Sequence, residues 1–329
     1  MNPQQVSPLL KHLPITDKQA VPAAQQQKTK TIAQVNTPTT LKIKRTESIH
    51  GGTRILELQA QCPFKAFGLI RLRLNTVQPP SSGINPRLKG IILHETLAKI
   101  WDTLQTQKQL MAQSDDQLEN IITERLSLTL NQMAKQYPLT LTPTRCNLEI
   151  KRLKPILTQW LNNEKQRPSF RVIAIEKAHE QTIGPLTIKA RIDRIDELDD
   201  GKSLLIDYKT GSVSKLQWLD DKQFSAQLPC YTQHYQTTTG IAFASIQQQK
   251  QQWVGISDKN LEIPGISTVE DCKHEQHDNW QCLGQHWQHT LTQLATNFFN
   301  GDIAINPRSK LACQTCDLQS VCRIKQQVF

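Results

Sequence analysis

The sequence has no apolar run near the roughly 18 residues that a membrane-crossing helix needs, so a membrane-embedded role is not expected. It has no signal-peptide layout at Met1 to Pro14 either: no apolar stretch of the required length follows a basic head. A cytosolic address is therefore the expectation. There is no internal repeat. Gly201–Lys202–Ser203 resembles the end of a phosphate-binding loop, but the glycine required five residues earlier is missing, with Asp196 in its place. The tripeptide falls in a tight β-turn, so an ATP site and a built-in motor are excluded. Residues 1–48 contain almost no aromatic residues and are rich in Gln, Thr, Pro and Lys. With seven Lys/Arg against two acids, this stretch carries a net +5. It cannot bury enough apolar surface to offset its ordering entropy, which predicts a flexible basic arm or linker ahead of a folded domain over 49–329.

The rest of the chain can build a core. Hydrophobic residues make up 37% and charged ones 21%, and 329 residues allow one large domain or two small ones. The net charge of +10 favours polyanionic partners, because neutralising phosphates releases condensed counterions. Eight cysteines are present: Cys62, Cys146, Cys230, Cys272, Cys282, Cys313, Cys316 and Cys322. In a reducing compartment, clustered thiols point to metal or cluster ligation rather than disulfides.

The periodicity predicts helices over Thr53–Leu74 (interrupted at Cys62–Pro63), Leu88–Met111, Asp116–Gln136 and Leu148–Gln166. Strands follow at Phe170–Ile183, Leu186–Leu198 and Ser203–Lys209, divided by Gly184–Pro185 and Asp199–Asp200–Gly201. Gln223–Tyr235 reads as helix, Ile241–Ile256 as strand and Gln281–Phe299 as helix. The order is a helical block, a three-stranded meander, a helix, a strand and a last helix.

Two neighbouring strands carry the chemistry. Asp193 stands late in Ala190-Arg-Ile-Asp-Arg-Ile-Asp196, and Asp207-x-Lys209 ends the next strand. Residues two apart in a strand share a face, so Asp207 and Lys209 project together, and pairing of the strands can bring Asp193 alongside. Two carboxylates at one spot call for a divalent cation, which prefers oxygen ligands, polarises a phosphoryl oxygen and eases ionisation of water. Lys209 can then stabilise charge developing on a phosphate. The plainer alternative is that both aspartates are strand-end residues paired with Arg191, Arg194 or Lys209. Glu176 ends the apolar run of the preceding strand. His94 lies on an apolar helix face, where a satisfied core histidine is the ordinary reading. Gln227 and Tyr231 are spaced to share a face of the following helix.

The ordered set His94, Glu176, Asp193, Asp207-x-Lys209, Gln227-xxx-Tyr231 resembles the PD-(D/E)XK nuclease superfamily, and more narrowly the RecB/AddB-type nuclease domain of bacterial helicase–nucleases. The blocks "GIILHETL", "ARIDRID", "LIDYKTG" and "QLPCY" carry the likeness, which spans about Arg54 to Ile324. It implies a mixed α/β fold: a restriction-endonuclease-like core with a central mixed sheet flanked by helices, plus an inserted helical block. It implies a metal, Mg²⁺ or Mn²⁺, held by His94, Asp193 and Asp207 with the Tyr208 carbonyl. It also implies Lys209 as catalytic lysine, Glu176 in support, and Gln227 and Tyr231 positioning DNA. An imidazole ligand suits Mn²⁺ better than Mg²⁺.

Cys313-xx-Cys316-xxxxx-Cys322 lies at the C-terminus and Cys62 far upstream. Zinc would usually take all its ligands from one short motif. One distant cysteine plus a C-terminal triplet resembles instead the [4Fe–4S] staple of AddB-type nucleases and of the CRISPR-adaptation exonucleases. Holding so long a loop closed costs a flexible chain about 5 kcal/mol plus a constant, so a cluster joining its ends would stabilise strongly. The expectation is a metal-dependent exonuclease acting on single-stranded DNA or duplex ends in repair or recombination. The alternatives are an idle iron–sulfur DNA-binding subunit, the C-terminal part of a helicase–nuclease or a partner of a separate helicase subunit, and a zinc-stabilised structural protein.

Overall fold

In the computed structural model, residues 41–43, 49–74, 83–220, 224–273 and 277–324 are described. The β-rich segments become strands at the expected bounds: β1 (Phe170–Ile183), β2 (Leu186–Leu198) and β3 (Ser203–Lys209). β1 and β2 pair antiparallel down to Ile183↔Leu186, and Gly184 turns the hairpin at φ +54°, a left-handed value that costs glycine little. β3 joins β2 antiparallel.

Before the sheet come α1 (Arg54–Gln61), α2 (Pro63–Ala66), α3 (Pro86–Leu104), α4 (Gln107–Met111), α5 (Asp115–Gln136) and α6 (Pro143–Lys165). Asn85 starts α3 by accepting from the Leu88 N–H at 2.8 Å, with Pro86 in the first turn. The single helix expected over Leu88–Met111 is broken. Gln105 adopts φ +52°, its carbonyl accepts from Val172 N–H at 2.8 Å, and Thr106 bridges Arg171. Sheet-edge pairing outweighs helical periodicity there, and Thr106 caps α4 through the Gln109 N–H at 3.1 Å.

After β3 come α7 (Leu216–Leu219), α8 (Gln227–His234), β4 (Thr238–Ile246), β5 (Gln251–Ser257), β6 (Ile266–Thr268), α9 (Trp280–Phe299), α10 (Lys310–Gln314) and α11 (Gln319–Cys322). The one strand expected over Ile241–Ile256 is a hairpin turning at 247–250, where Gln247 N–H bonds the Lys250 carbonyl at 3.2 Å. The turn contains no glycine or proline, so nothing local marks it. The six strands stand in the order β1-β2-β3-β4-β5-β6, with β3–β4 and β5–β6 parallel and the other pairs antiparallel. This is the expected mixed α/β architecture.

Side-chain alternation divides the core in two. Leu205, Ile241, Phe243 and Ile256 pack with Ile55, Leu228 and Trp287 from α1, α8 and α9. Leu204, Ile206, Ala242 and Ala244 pack with Leu93, Leu126 and Trp160 from α3, α5 and α6. Of the expected arm, only Leu41–Ile43 fall among the described residues. Leu41 and Ile43 donate to the carbonyls of Gly301 and Phe299 at 2.8 and 2.9 Å, and Ile43 is buried. Residues 1–40 and 44–48 lie outside the described residues.

Candidate metal and catalytic centre

The β2–β3 ladder runs from Glu197↔Ser203 to Arg194↔Ile206 and stops there. Past that point the backbone N–H of Tyr208 has no ladder partner, and the Asp193 carboxylate accepts from it at 2.9 Å. The two strands therefore fork where Asp193 and Asp207 project. Both carboxylates are buried, at 7% and 1% exposure.

On the other side of β2, the pairs Ile175↔Arg194 and Lys177↔Ile192 set Glu176 across from Asp193. Glu176 has φ +46°, unlike every other described strand residue outside glycine. A non-glycine residue held there costs about 1–2 kcal/mol, and such strain gathers at functional sites. From α3, His94 points its Nδ1 at Asp193 Oδ2, 3.2 Å away. The result is one tight group: His94, Glu176 and Asp193 each offer a ligand atom, all within 4.8 Å of one another. Glu176 is also held by Arg191, Nε to Oε2, at 2.8 Å.

Asp207 was expected to share a metal with His94 and Asp193; the tight group is His94, Glu176 and Asp193, and Asp207 lies outside it. It sits beside this group, but its Oδ2 lies 2.5 Å from Lys209 Nζ. Burial pushes the Asp207 carboxyl up to about 7, with Lys209 pulling it down and Asp193 adding to the rise. Burial also opposes ionisation of Asp193, but the hydrogen bond and charge of His94 outweigh it and lower that carboxyl. For Lys209, burial disfavours the ammonium, yet Asp207, Asp193 and Glu57 more than compensate and raise its pKa. Lys209 is therefore a resident cation, suited to stabilising negative charge rather than to taking a proton. The donor set, an imidazole nitrogen with buried carboxylate oxygens short of counter-charge, fits a divalent cation.

A profile of the PD-(D/E)XK nuclease superfamily matches residues 54–323. The chain belongs to that superfamily. Its members are typically nucleases, hydrolases that use divalent metals, and the domain implies DNA as substrate. No curated protein matches the sequence. Among solved structures, the crystal structure of SSO0001 is similar at 15% identity and TM-score 0.30, covering 82% of this chain and 93% of that one. A likeness that slight carries no argument.

On α8 the two expected DNA-positioning residues part company. Gln227 accepts from Lys209 Nζ at 3.4 Å and so stands beside the Asp207–Lys209 pair. Tyr231, 1% exposed, donates its hydroxyl to the Arg191 carbonyl. That bond braces α8 against β2.

Sequence reasoning singled out Asp193 within "ARIDRID" and assigned Asp196 no role. Asp196 faces the opposite core, where Arg194 joins it to Glu164 (Nη1 to Oε1, 2.7 Å), Arg167 adds a contact at 2.8 Å, and Arg194 donates to the Tyr208 hydroxyl at 3.2 Å. Glu57 was missed altogether. Its only signal was an acid set between Leu56 and Leu58.

Cys62, Cys313, Cys316 and Cys322, the four expected cluster cysteines, form no disulfides. The C-terminal segment docks on the α1–α2 junction, with Arg308 N–H on the Gln61 carbonyl at 3.0 Å and Phe64 N–H on that of Ala304 at 3.1 Å. Cys313 there feels Cys62, Cys316 and Cys322 electrostatically, although burial is the larger influence on its raised pKa. The four sulfurs do not converge as tightly as the His94 group: among the described residues, that group alone brings three ligand atoms within 4.8 Å.

Proposed function

We propose that this protein is a DNA exonuclease of the RecB/AddB type, acting in repair or recombination. The observation that carries the reading is the convergence of His94, Glu176 and Asp193 beside the Asp207–Lys209 pair, in a fork between two strands. His94, Asp193 and Asp207, with the Tyr208 carbonyl, would hold the cation, and Glu176 lies close enough to add an oxygen. When bound, the cation supplies Lewis-acid polarisation of a phosphoryl oxygen and easier ionisation of water.

The chain's own residues do the rest. The Lys209 ammonium lies against the charge that builds on phosphate as water adds to phosphorus and the ester oxygen departs. Gln227 orients that ammonium from α8. Tyr208 fixes the fork, with its N–H on Asp193 and its hydroxyl on Arg194. Glu176 is kept in place by Arg191.

Two further parts belong to the same reading. Cys62, Cys313, Cys316 and Cys322 hold a [4Fe–4S] cluster that ties the ends of the domain, supported by the docking of the C-terminal segment beside Cys62. Residues 1–48 act as a basic accessory, and a separate helicase subunit is the protein partner that the resemblance implies.

The deciding experiment is digestion of end-labelled single-stranded and duplex DNA by anaerobically purified protein with Mg²⁺ or Mn²⁺. Metal-dependent release of nucleotides from an end is expected, and Lys209→Ala should abolish it while DNA binding persists. Digestion undiminished in Lys209→Ala would remove the site from this reading.

A further inference from the structure

Lys209 has anionic neighbours on two sides. Asp207 lies within its own strand. The other neighbour is Glu57 of α1, which stands 37 positions before His94, the nearest residue of the fork in sequence. Its Oε1 accepts from Ala226 N–H at 3.2 Å and from Ser225 Oγ at 3.4 Å. These groups immediately precede α8, whose first residue, Gln227, accepts from Lys209 Nζ at 3.4 Å.

The residues entering α8 supply no side-chain cap of their own. The first N–H groups of a helix need acceptors, and a carboxylate there also gains from the helix dipole. Glu57 meets that need from another element. Burial holds its carboxyl above the ordinary range, and Lys209 is the largest influence pulling it back. The acid and the amine therefore stabilise one another's charge across the gap between α1 and β3.

We infer that Glu57 is a positioning residue for the nuclease centre: it caps the start of α8, which places Gln227, and it holds the Lys209 ammonium from the α8 side against the pull of Asp207. The inference rests on Lys209 being the catalytic lysine.

Two variants separate the cap from the charge. Glu57→Gln keeps an acceptor for Ala226 and Ser225 but removes the negative charge, whereas Glu57→Ala removes both. The full chain is assayed for steady-state cleavage over a range of DNA concentrations with Mn²⁺. DNA affinity is measured with Ca²⁺ in place of Mn²⁺, and Tm without metal. Glu57→Gln should cleave about tenfold more slowly with KM, DNA affinity and Tm unchanged, the mark of a misplaced group rather than a damaged fold. Glu57→Ala should be slower still and should also lose Tm, since the cap goes with the charge. Wild-type cleavage by Glu57→Gln, or a loss matched by weaker DNA binding or lower Tm, would overturn the inference. A wild-type protein that cleaves no DNA would instead overturn the nuclease reading on which it rests.

Discussion

At Asp207, burial holds the carboxyl near 7 in the metal-free protein, against an ordinary value of 3.8. Between those values the unfolded chain has released a proton that the folded protein keeps. Stability from this group therefore falls as pH rises from about 4 to about 7 and is flat beyond. Asp207→Asn, of nearly the same shape, removes the carboxylate that causes the loss. Without metal at pH 8 the variant should melt at a higher temperature than wild type, and the gain should vanish near pH 4. Adding Mn²⁺ should raise the wild-type Tm more than that of the variant, because only a ligand that binds the folded state shifts the equilibrium. Cleavage by the variant should be lost. A lower metal-free Tm for Asp207→Asn at pH 8 would show that the carboxylate is not the burden its burial implies. His94, Asp193 and Lys209 could be picked out from their order and spacing. Their spacing put Asp207 and Lys209 on one strand face, but the local sequence could not say where the two strands would fork.

Strand β2 serves both faces of the sheet within four residues. Asp193 enters the fork, whereas Arg194 and Asp196 enter the opposite core and meet Glu164 of α6 and Arg167. All four members of that network are essentially excluded from solvent. Removing one partner leaves an uncompensated buried charge, so Asp196→Ala should lose about 3–5 kcal/mol in urea unfolding. Lys259, whose contact with Asp200 is at the surface, makes the control: Lys259→Ala should change stability by less than about 1 kcal/mol. A small effect from Asp196→Ala would mean that the network repacks without cost. The same element explains a gap in the sequence reading, since a strand pattern shows which residues alternate but not that Asp196 would meet two guanidinium groups, one of them from outside the strand.

For the whole molecule, a net charge of +10 predicts DNA binding that weakens steeply with salt, roughly one power of salt concentration per phosphate neutralised. Residues 1–38 contribute four lysines and one aspartate. Deleting them should lower the salt slope by no more than about 4 and leave cleavage intact, while Leu41–Ile43, bonded to the end of α9, stay in place. Loss of all cleavage would make that segment structural. At the opposite end of the chain, anaerobically purified protein should be brown from thiolate-ligated iron. Cys62→Ala should remove the colour as fully as Cys316→Ala, although the two cysteines are 254 positions apart. Stoichiometric zinc without iron or acid-labile sulfide would end the cluster assignment.

Strand limits at β1, β2 and β3, the helical block and the order of the site residues were all legible in the sequence, because hydrophobic period and turn chemistry act locally. The break at Gln105, the hairpin at 247–250, the burial of Tyr231 and the contribution of Glu57 were not. Each arises from contacts between segments distant in sequence: a helix end claimed by a sheet edge, a strand folded back onto its neighbour, a phenol taken by a β2 carbonyl, a carboxylate capping another helix. Local chemistry specifies which groups a segment offers, and only packing of the whole chain determines which partner each group meets.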